Sequence, residues 1–342
     1  MSEAATGAPA GKQPLVSVVI VLFNSASYIE ACLSSLAALD YAPLEVIIVD
    51  NGSTDGSARI ARERSRREGL ESCAISMLPR NRGFAKANNH GFALSRGEII
   101  LLLNPDTEVY PDMLARLVSA MEEDPAIGVA GCKVYYPDRL TIQHAGGYIR
   151  DNGLTMHFGA DEPDRGQCDQ QMDVHYVTGA AMAVRREVFT RAGMLDPGYF
   201  PAYFEETDLC LQACRMGYRV AYVPGARLVH HESTSTGKYS NRFLYLYHKN
   251  RIRFMVKNFS WRFLLDRALP MEQEWLSLVP PEETVPLNKA YLVNLVNLPR
   301  TLVARRAMER RLDAPRMEDT VSTLLQVAPN EVTNGVTNGV RS

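Results

Sequence analysis

Six cysteines in 342 residues, Cys32, Cys73, Cys132, Cys168, Cys210 and Cys214, include no CxxC pair. That removes the common zinc and redox frameworks and fits reduced thiols better than a disulfide scaffold. Cys210 and Cys214 stand at i, i+4, which reads as two small apolar thiols on a helical core stripe. With 37 Lys and Arg against 39 Asp and Glu, the formal charge is −2, so no overall basic field draws the chain to nucleic acid. Long apolar runs are also missing. The longest, around Ile99 to Leu103, has the size of a strand and falls short of the roughly 18 residues a spanning helix needs. The opening MSEAATGAPAGKQP has neither the cationic start nor the apolar core of a secretory signal. The expectation is a cytoplasmic chain, with any membrane contact peripheral and on the cytoplasmic face.

What is present is alternation. From Leu15, short β-branched runs trade places with helical segments: VSVVIVLF, Ser25–Leu39, LEVIIVD, Thr54–Glu68, CAISML, Phe84–Ser95 and EIILLLN. Continuously apolar strands separated by helices predict a parallel sheet covered on both faces. Such a sheet binds ligands beyond the carboxyl ends of its strands. The segments at those ends are polar: Asn24-Ser25, Asp50-Asn51-Gly52-Ser53, Asn81-Arg82-Gly83 and Asn104-Pro105-Asp106. After a helix over Pro111–Glu123 the alternation stops. GVAGCKVYY and a Gly-, Tyr- and His-containing stretch through Gly159 read as strands and a long loop. A helix over Tyr203–Gly217 and a strand, RVAYVP, follow. Helical patterns return over Tyr239–Leu265 and about Asn288–Arg311. The last thirty residues, with TNGVTNGV, read as a flexible tail.

Four constellations carry chemistry. Asp50 ends a strand beside a turn rich in Asn, Gly and Ser, and its carboxylate is placed to accept from a base or ribose; an Asx-turn before a helix capped by Ser53 or Thr54 is the structural alternative. Asp106, in Asn104-Pro105-Asp106, is a hard oxygen donor of the kind Mg²⁺ or Mn²⁺ prefers, with substrate phosphates completing the shell; a Pro-directed turn is the alternative. Glu205, Glu206 and Asp208 fall in the first turn of a helix, where acids complement the dipole and where a general base can also sit. His230 and His231 follow a strand. Adjacent residues on extended chain point to opposite sides, so at most one of the two faces a metal begun by Asp106.

In order, VSVVIVLFN, VDNGSTDGS, NRGFAKANNHG, ILLLNPDTE, TGAAMAVRREVF, FEETDLCLQACRMGYRV and VHHESTS resemble glycosyltransferase family 2, of the GT-A fold, and in particular its bacterial rhamnosyltransferase-like branch. The likeness runs from about Val16 to Gly237. It implies an α/β fold with a mostly parallel central sheet flanked by helices and a helical C-terminal extension. The expected layout is a flexible start (1–14), a catalytic domain (15–238, with a nucleotide-sugar half 15–125 and an acceptor half 126–238), a helical extension (239–311) and a flexible tail (312–342).

The resemblance further implies an inverting, metal-dependent hexosyl transfer from a nucleoside-diphosphate sugar to a hydroxyl of a growing cell-surface glycan or lipid-linked acceptor, with rhamnose the sugar that the branch suggests. In it, Asn24, Asp50, Asn51 and Arg82 serve the nucleotide, and Asn104 and Asp106 take the place of the DxD metal motif, with Asn in place of its first acid. Glu206 takes the place of the acceptor base, with Asp208 as competitor, and His230 or His231 that of the late metal histidine. A divalent cation, Mg²⁺ or Mn²⁺, is the implied cofactor. A sugar nucleotidyltransferase is the rival reading, but FNSASY after the first strand is not a Gly-rich basic phosphate loop. A silent carbohydrate-binding protein has no chemical need for Asp106, Glu206 and a histidine together. Finally, Arg242, Lys249, Arg251, Arg253, Lys257 and Arg262 lie among aromatic and aliphatic residues in 239–265. That mixture suits either a packed helix with a basic edge or a surface for anionic lipid, and the resemblance favours the lipid.

Overall fold

The computed structural model describes residues 13–70, 72–232 and 240–312. The expected flexible start and the tail with its TNGVTNGV repeat lie outside these residues, apart from 13, 14 and 312. In chain order the elements are β1 (Val16–Leu22), α1 (Ile29–Ala37), β2 (Leu44–Asp50), α2 (Ser57–Arg67), β3 (Cys73–Met77), α3 (Phe84–Leu94), β4 (Ile99–Leu103), β5 (Thr107–Val109), α4 (Met113–Glu123), β6 (Ile127–Tyr135), β7 (Ile142–His144), β8 (Gly147–Ile149), β9 (Thr155–His157), β10 (Met172–Asp173), β11 (Ala181–Arg185), α5 (Arg186–Ala192), α6 (Glu205–Arg215) and β12 (Arg219–His230). The C-terminal region adds α7 (Asn241–Asn258), then α8 (Trp261–Phe263), which passes through a π-helical turn into α9 (Leu269–Leu276), and α10 (Pro281–Leu312).

One sheet runs β10-β12-β6-β11-β4-β1-β2-β3, with β5 on β12 and β7 on β6. Its first half is parallel, β3-β2-β1-β4, as continuously apolar strands require. All of Val16, Val18, Val19 and Ile20, and all of Ile99–Leu103, are buried, with helices on both faces. Beyond β4 the sheet becomes mixed. β11 runs antiparallel to both β4 and β6, and β12 runs parallel to β6. RVAYVP was therefore only the start of a strand: β12 continues to His230 across an irregularity between Val223 and Arg227, where Pro224 and Gly225 sit.

The expected helix over Tyr239–Leu265 ends at Asn258, and Ser260 caps a new start by accepting from the Phe263 amide. Four of its six cations are turned into the protein, which corrects the expectation of a lipid-facing basic edge there. Arg251 is fully buried against Glu272, Arg253 and Lys257 share Asp196, and Lys257 also meets Asp208. Lys249 donates to the carbonyl of Phe200. Only Arg242 and Arg262 are exposed. α7 braces the sheet domain, and α10 packs along α7.

Candidate active site

The register of the parallel strands brings their polar ends to one edge. Leu22 pairs with Asp50, and Ile20 with Leu103, so the residues after β1, β2 and β4 emerge side by side. β11 enters this edge from the other direction, with Ala181 beside Leu103, and the Ala180 carbonyl accepts from the Asn104 amide. β5 and the end of β12 pair antiparallel, His230 opposite Thr107. The sheet therefore gathers the loops containing Asn24, Asp50, Asn104, Asp106, Gly179 and His230.

On the nucleotide side the loops are stitched by short polar side chains. Asn24, at φ 53°, accepts from the Thr54 amide at 2.9 Å, while its own amide donates to Ser53 Oγ. Asp50 is 2% exposed and accepts from the Ser53 amide at 3.3 Å, so the Asx-type turn and the carboxylate at the strand end coexist. Gly52 is obligatory by space as well as by its φ of 81°, since a Cβ there would lie 2.7 Å from Arg80 Cα. Asn51 accepts from the Arg82 amide at 2.8 Å and donates to Asn81 Oδ1, which also accepts from Gly83. Arg82 itself is exposed on this loop.

Asp106 and His230 come together at the next strand ends. His230 Nε2 lies 3.3 Å from Asp106 Oδ1, in a contact buried on both sides. The other ring nitrogen, Nδ1, is 2.7 Å from Gln143 Oε1. An amide oxygen only accepts, so Nδ1 is the donor in this contact, and in the neutral ring Nε2 is then the nitrogen with the lone pair. That Nε2 is a buried atom without a hydrogen-bond partner. A carboxylate oxygen beside an orphaned imidazole nitrogen is a donor set that fits a divalent cation. Among the described residues no group of three or more His, Cys, Asp and Glu gathers to hold a metal alone, so two protein donors leave the rest of the shell to substrate oxygens and water. His231 points elsewhere, as alternation along a strand demands. Its Nε2 is 2.6 Å from Glu108 Oε1, and its ring lies 5.7 Å from that of Tyr28. Burial pushes the Glu108 carboxyl up, but His231 and Arg139 outweigh it and hold it below the usual range.

The acid turn of α6 sorts its three carboxylates by environment. Asp208 is engaged on both oxygens: Tyr199 and Asn258 donate to one, at 3.0 and 2.7 Å, and Lys257 to the other at 2.7 Å. It is buried and braces α6 against α7. Glu205 is 1% exposed, and its Oε2 has no partner. Burial, reinforced by the neighbouring Glu206, pushes its carboxyl well above the ordinary value. Glu206 keeps partial exposure and lies beside Gly179, whose amide favours its ionised form. Burial raises its carboxyl too, against the pull of its own amide and that of Gly179.

The backbone leading into Glu206 is unusual. Tyr203 and Phe204, neither of them glycine, stand in succession at φ 83° and 76°. Strain of this kind persists only where surroundings fix it. Asn250 of α7, fully buried, supplies the clamp by donating to the carbonyls of Tyr199, Ala202 and Tyr203 at 2.6–2.9 Å. The same loop meets the nucleotide side, for the Phe84 amide donates to the Pro201 carbonyl, and Gly83, at φ 82°, lets Phe200 approach. Asn250 and Gln143 escaped the sequence reading because both sit in segments whose pattern looked merely amphipathic or loop-like.

Comparison with known proteins agrees with this arrangement. The family model for glycosyl transferase family 2 matches residues 17–193. An uncharacterized protein of Sinorhizobium fredii, y4gI, is 36% identical over 233 residues, 66% of this chain and 25% of that one, so this chain spans a quarter of that relative. The N-acetylglucosaminyl-diphospho-decaprenol L-rhamnosyltransferase of Mycobacterium tuberculosis is 26% identical over 279 residues, 72% of this chain and 87% of that one. Among solved structures, the mannosyltransferase PcManGT from Pyrobaculum calidifontis, in complex with GDP-Man and Mn²⁺, superposes with a TM-score of 0.55 at 17% identity, covering 92% of this chain and 85% of that one, a likeness of fold. With a mixed α/β sheet of the GT-A kind, ligand loops at one sheet edge and a family match over more than half its length, the chain belongs to glycosyl transferase family 2.

Proposed function

We propose that the chain transfers a glycosyl residue, with inversion, from a nucleoside-diphosphate sugar to a hydroxyl of a growing glycan or lipid-linked acceptor. The observation that carries this reading is the pairing of Asp106 with the orphaned Nε2 of His230, at the same sheet edge as Asp50 and the loop of Glu206. Asp50, Asn24, Asn51 and Arg82 hold the nucleotide, and Asp106 with His230 would hold Mg²⁺ or Mn²⁺ against the diphosphate, Asn104 shaping the turn. When bound, the cation neutralises charge developing on the leaving diphosphate. Arg82, exposed beside that edge, adds to the same stabilisation. Glu206 takes the proton of the acceptor hydroxyl, which attacks the anomeric carbon on the face opposite the leaving group. A raised carboxyl suits this task, because it holds a proton more strongly than an ordinary carboxylate does. The rhamnosyltransferase relative supports rhamnose as the donor sugar and a lipid diphosphate-linked acceptor. Among the described residues no helix is long and apolar enough to cross a membrane.

The test is to incubate the full chain with a panel of nucleoside-diphosphate sugars, including a rhamnose donor, with Mn²⁺ and with chelator. The expected result is cation-dependent release of nucleoside diphosphate from one donor, and an inverted anomeric signal by NMR once an acceptor is added. Release of nucleoside monophosphate and sugar phosphate instead, or no cation dependence, would overturn the reading.

A further inference from the structure

Helix α10 carries apolar residues on two opposite faces, and among the described residues only one is covered. Leu287, Ala290, Thr301, Met308 and Leu312 are buried, and Asn294 donates to the Lys249 carbonyl of α7. At 100° per residue these positions fall within about 40° of one line along the helix. Val285, Leu292, Val296 and Val303 fall within about 20° of a line roughly opposite, with Leu295 on its flank. These five are 62–74% exposed. The strip is about 27 Å long. Single exposed aliphatic residues need no account, but a contiguous strip of this length marks a contact surface.

Charge identifies what the strip meets. Arg300, Arg306 and Arg310 are exposed and lie within about 60° of the apolar line, while Lys289 at its flank rests its ammonium over the Tyr245 ring of α7. On that outward half Glu282 is the carboxylate; Glu309 lies further round and pairs with Arg305. We propose that the outer face of α10 lies in the plane of an anionic lipid bilayer, its aliphatic side chains inserted and its cations among the headgroup phosphates. A second copy of the chain is a poorer occupant, since two such strips facing each other would set cations against cations. α7 does not serve this role, because Arg251, Arg253 and Lys257 are held by Glu272, Asp196 and Asp208, Lys249 by the Phe200 carbonyl, and Arg242 is left as its exposed cation. Leu265, Leu269 and Leu278, on the segments just before α10, are also exposed. The assignment goes beyond the proposed transfer reaction and does not depend on the identity of either sugar.

Co-sedimentation of the full chain with vesicles decides it. Binding to phosphatidylglycerol-containing vesicles is expected at low salt, to fall at high salt, and to be at least about tenfold weaker on phosphatidylcholine alone. The double variant Leu295→Ser, Val296→Ser should bind about tenfold or more weakly at unchanged Tm, since both side chains are exposed. Arg300→Gln with Arg306→Gln should weaken binding and flatten its salt dependence. Absence of vesicle binding, equal binding by wild type and the serine variant, or a dimer in sedimentation that the serine variant dissociates would overturn the proposal. Donor hydrolysis without vesicles, measured on the same samples, separates the two readings. It should be unchanged in the serine variant, and if it is missing from wild type while vesicle binding persists, the transfer reading fails and the lipid face stands.

Discussion

The two sides of the crevice are held by different means. At the strand ends, Asp50, Asp106 and His230 are set by register, with nearby Ser53 completing the bond at Asp50 and the more distant Gln143 that at His230. Across from them, Glu206, the proposed base, follows a pair of residues in left-handed backbone, and the clamp, Asn250, comes from a helix more than forty residues further along. A site built on strand ends tolerates change in the rest of the molecule; one built on a strained loop inherits the fortunes of a remote element. The comparison can be broken at either side.

Asp106→Ala should have the largest effect, lowering cation-dependent turnover by roughly a thousandfold while the circular dichroism spectrum and Tm stay near wild type, because the residue ends a turn and fills no core position. Turnover close to wild type would remove Asp106 from the site. Glu206→Gln should lower kcat by roughly a hundred- to a thousandfold with the donor KM nearly unchanged. The pH profile sharpens this test. Glu206 acts ionised, and burial raises its carboxyl, so kcat should fall as pH drops through a value above the ordinary carboxylate range. That acid limb should vanish in the Gln variant.

Asn250→Ala tests the remote clamp. It leaves three carbonyls without their donor, so a destabilisation of about 1–3 kcal/mol is expected, with kcat lowered about tenfold and Mn²⁺ affinity unchanged by titration. Loss of cation affinity in step with kcat would show that the two sides are not held independently. The smallest effect belongs to Glu205→Gln. The folded state raises the Glu205 carboxyl, so its favourable contribution is complete below the ordinary carboxylate value and is lost as pH rises towards the folded one. The variant should therefore gain roughly 1 kcal/mol over wild type near neutral pH and almost nothing near pH 4, read by thermal melts at both.

The nucleotide half was legible because its signals are local. Apolar runs such as Val16–Leu22 and Ile99–Leu103 announce buried parallel strands, and the polar residues just after them form the loops at the sheet edge where such folds bind ligands. Adjacent histidines were expected to part, and they do, His230 to Asp106 and His231 to Glu108. The acceptor half hid its logic in distance. Asp208 and Glu206 look alike in FEETD, and only the arrival of Lys257 and Asn258 separates a brace from a base. The basic helix was misread for the same reason, since Arg251 and Lys257 look solvated until Glu272 and Asp196 are folded against them.

Strand β12 works as a measuring rod. It starts at Arg219 on the far side of the sheet, steps across its irregularity at Val223–Arg227, and delivers one imidazole to Asp106 and the next to Glu108. Since side chains alternate along extended chain, losing one residue from the Pro224-Gly225 step would advance the rod by a single notch and present His231 where His230 stands. Which histidine faces Asp106 is thus written less in the pair of histidines than in the length of chain that precedes them.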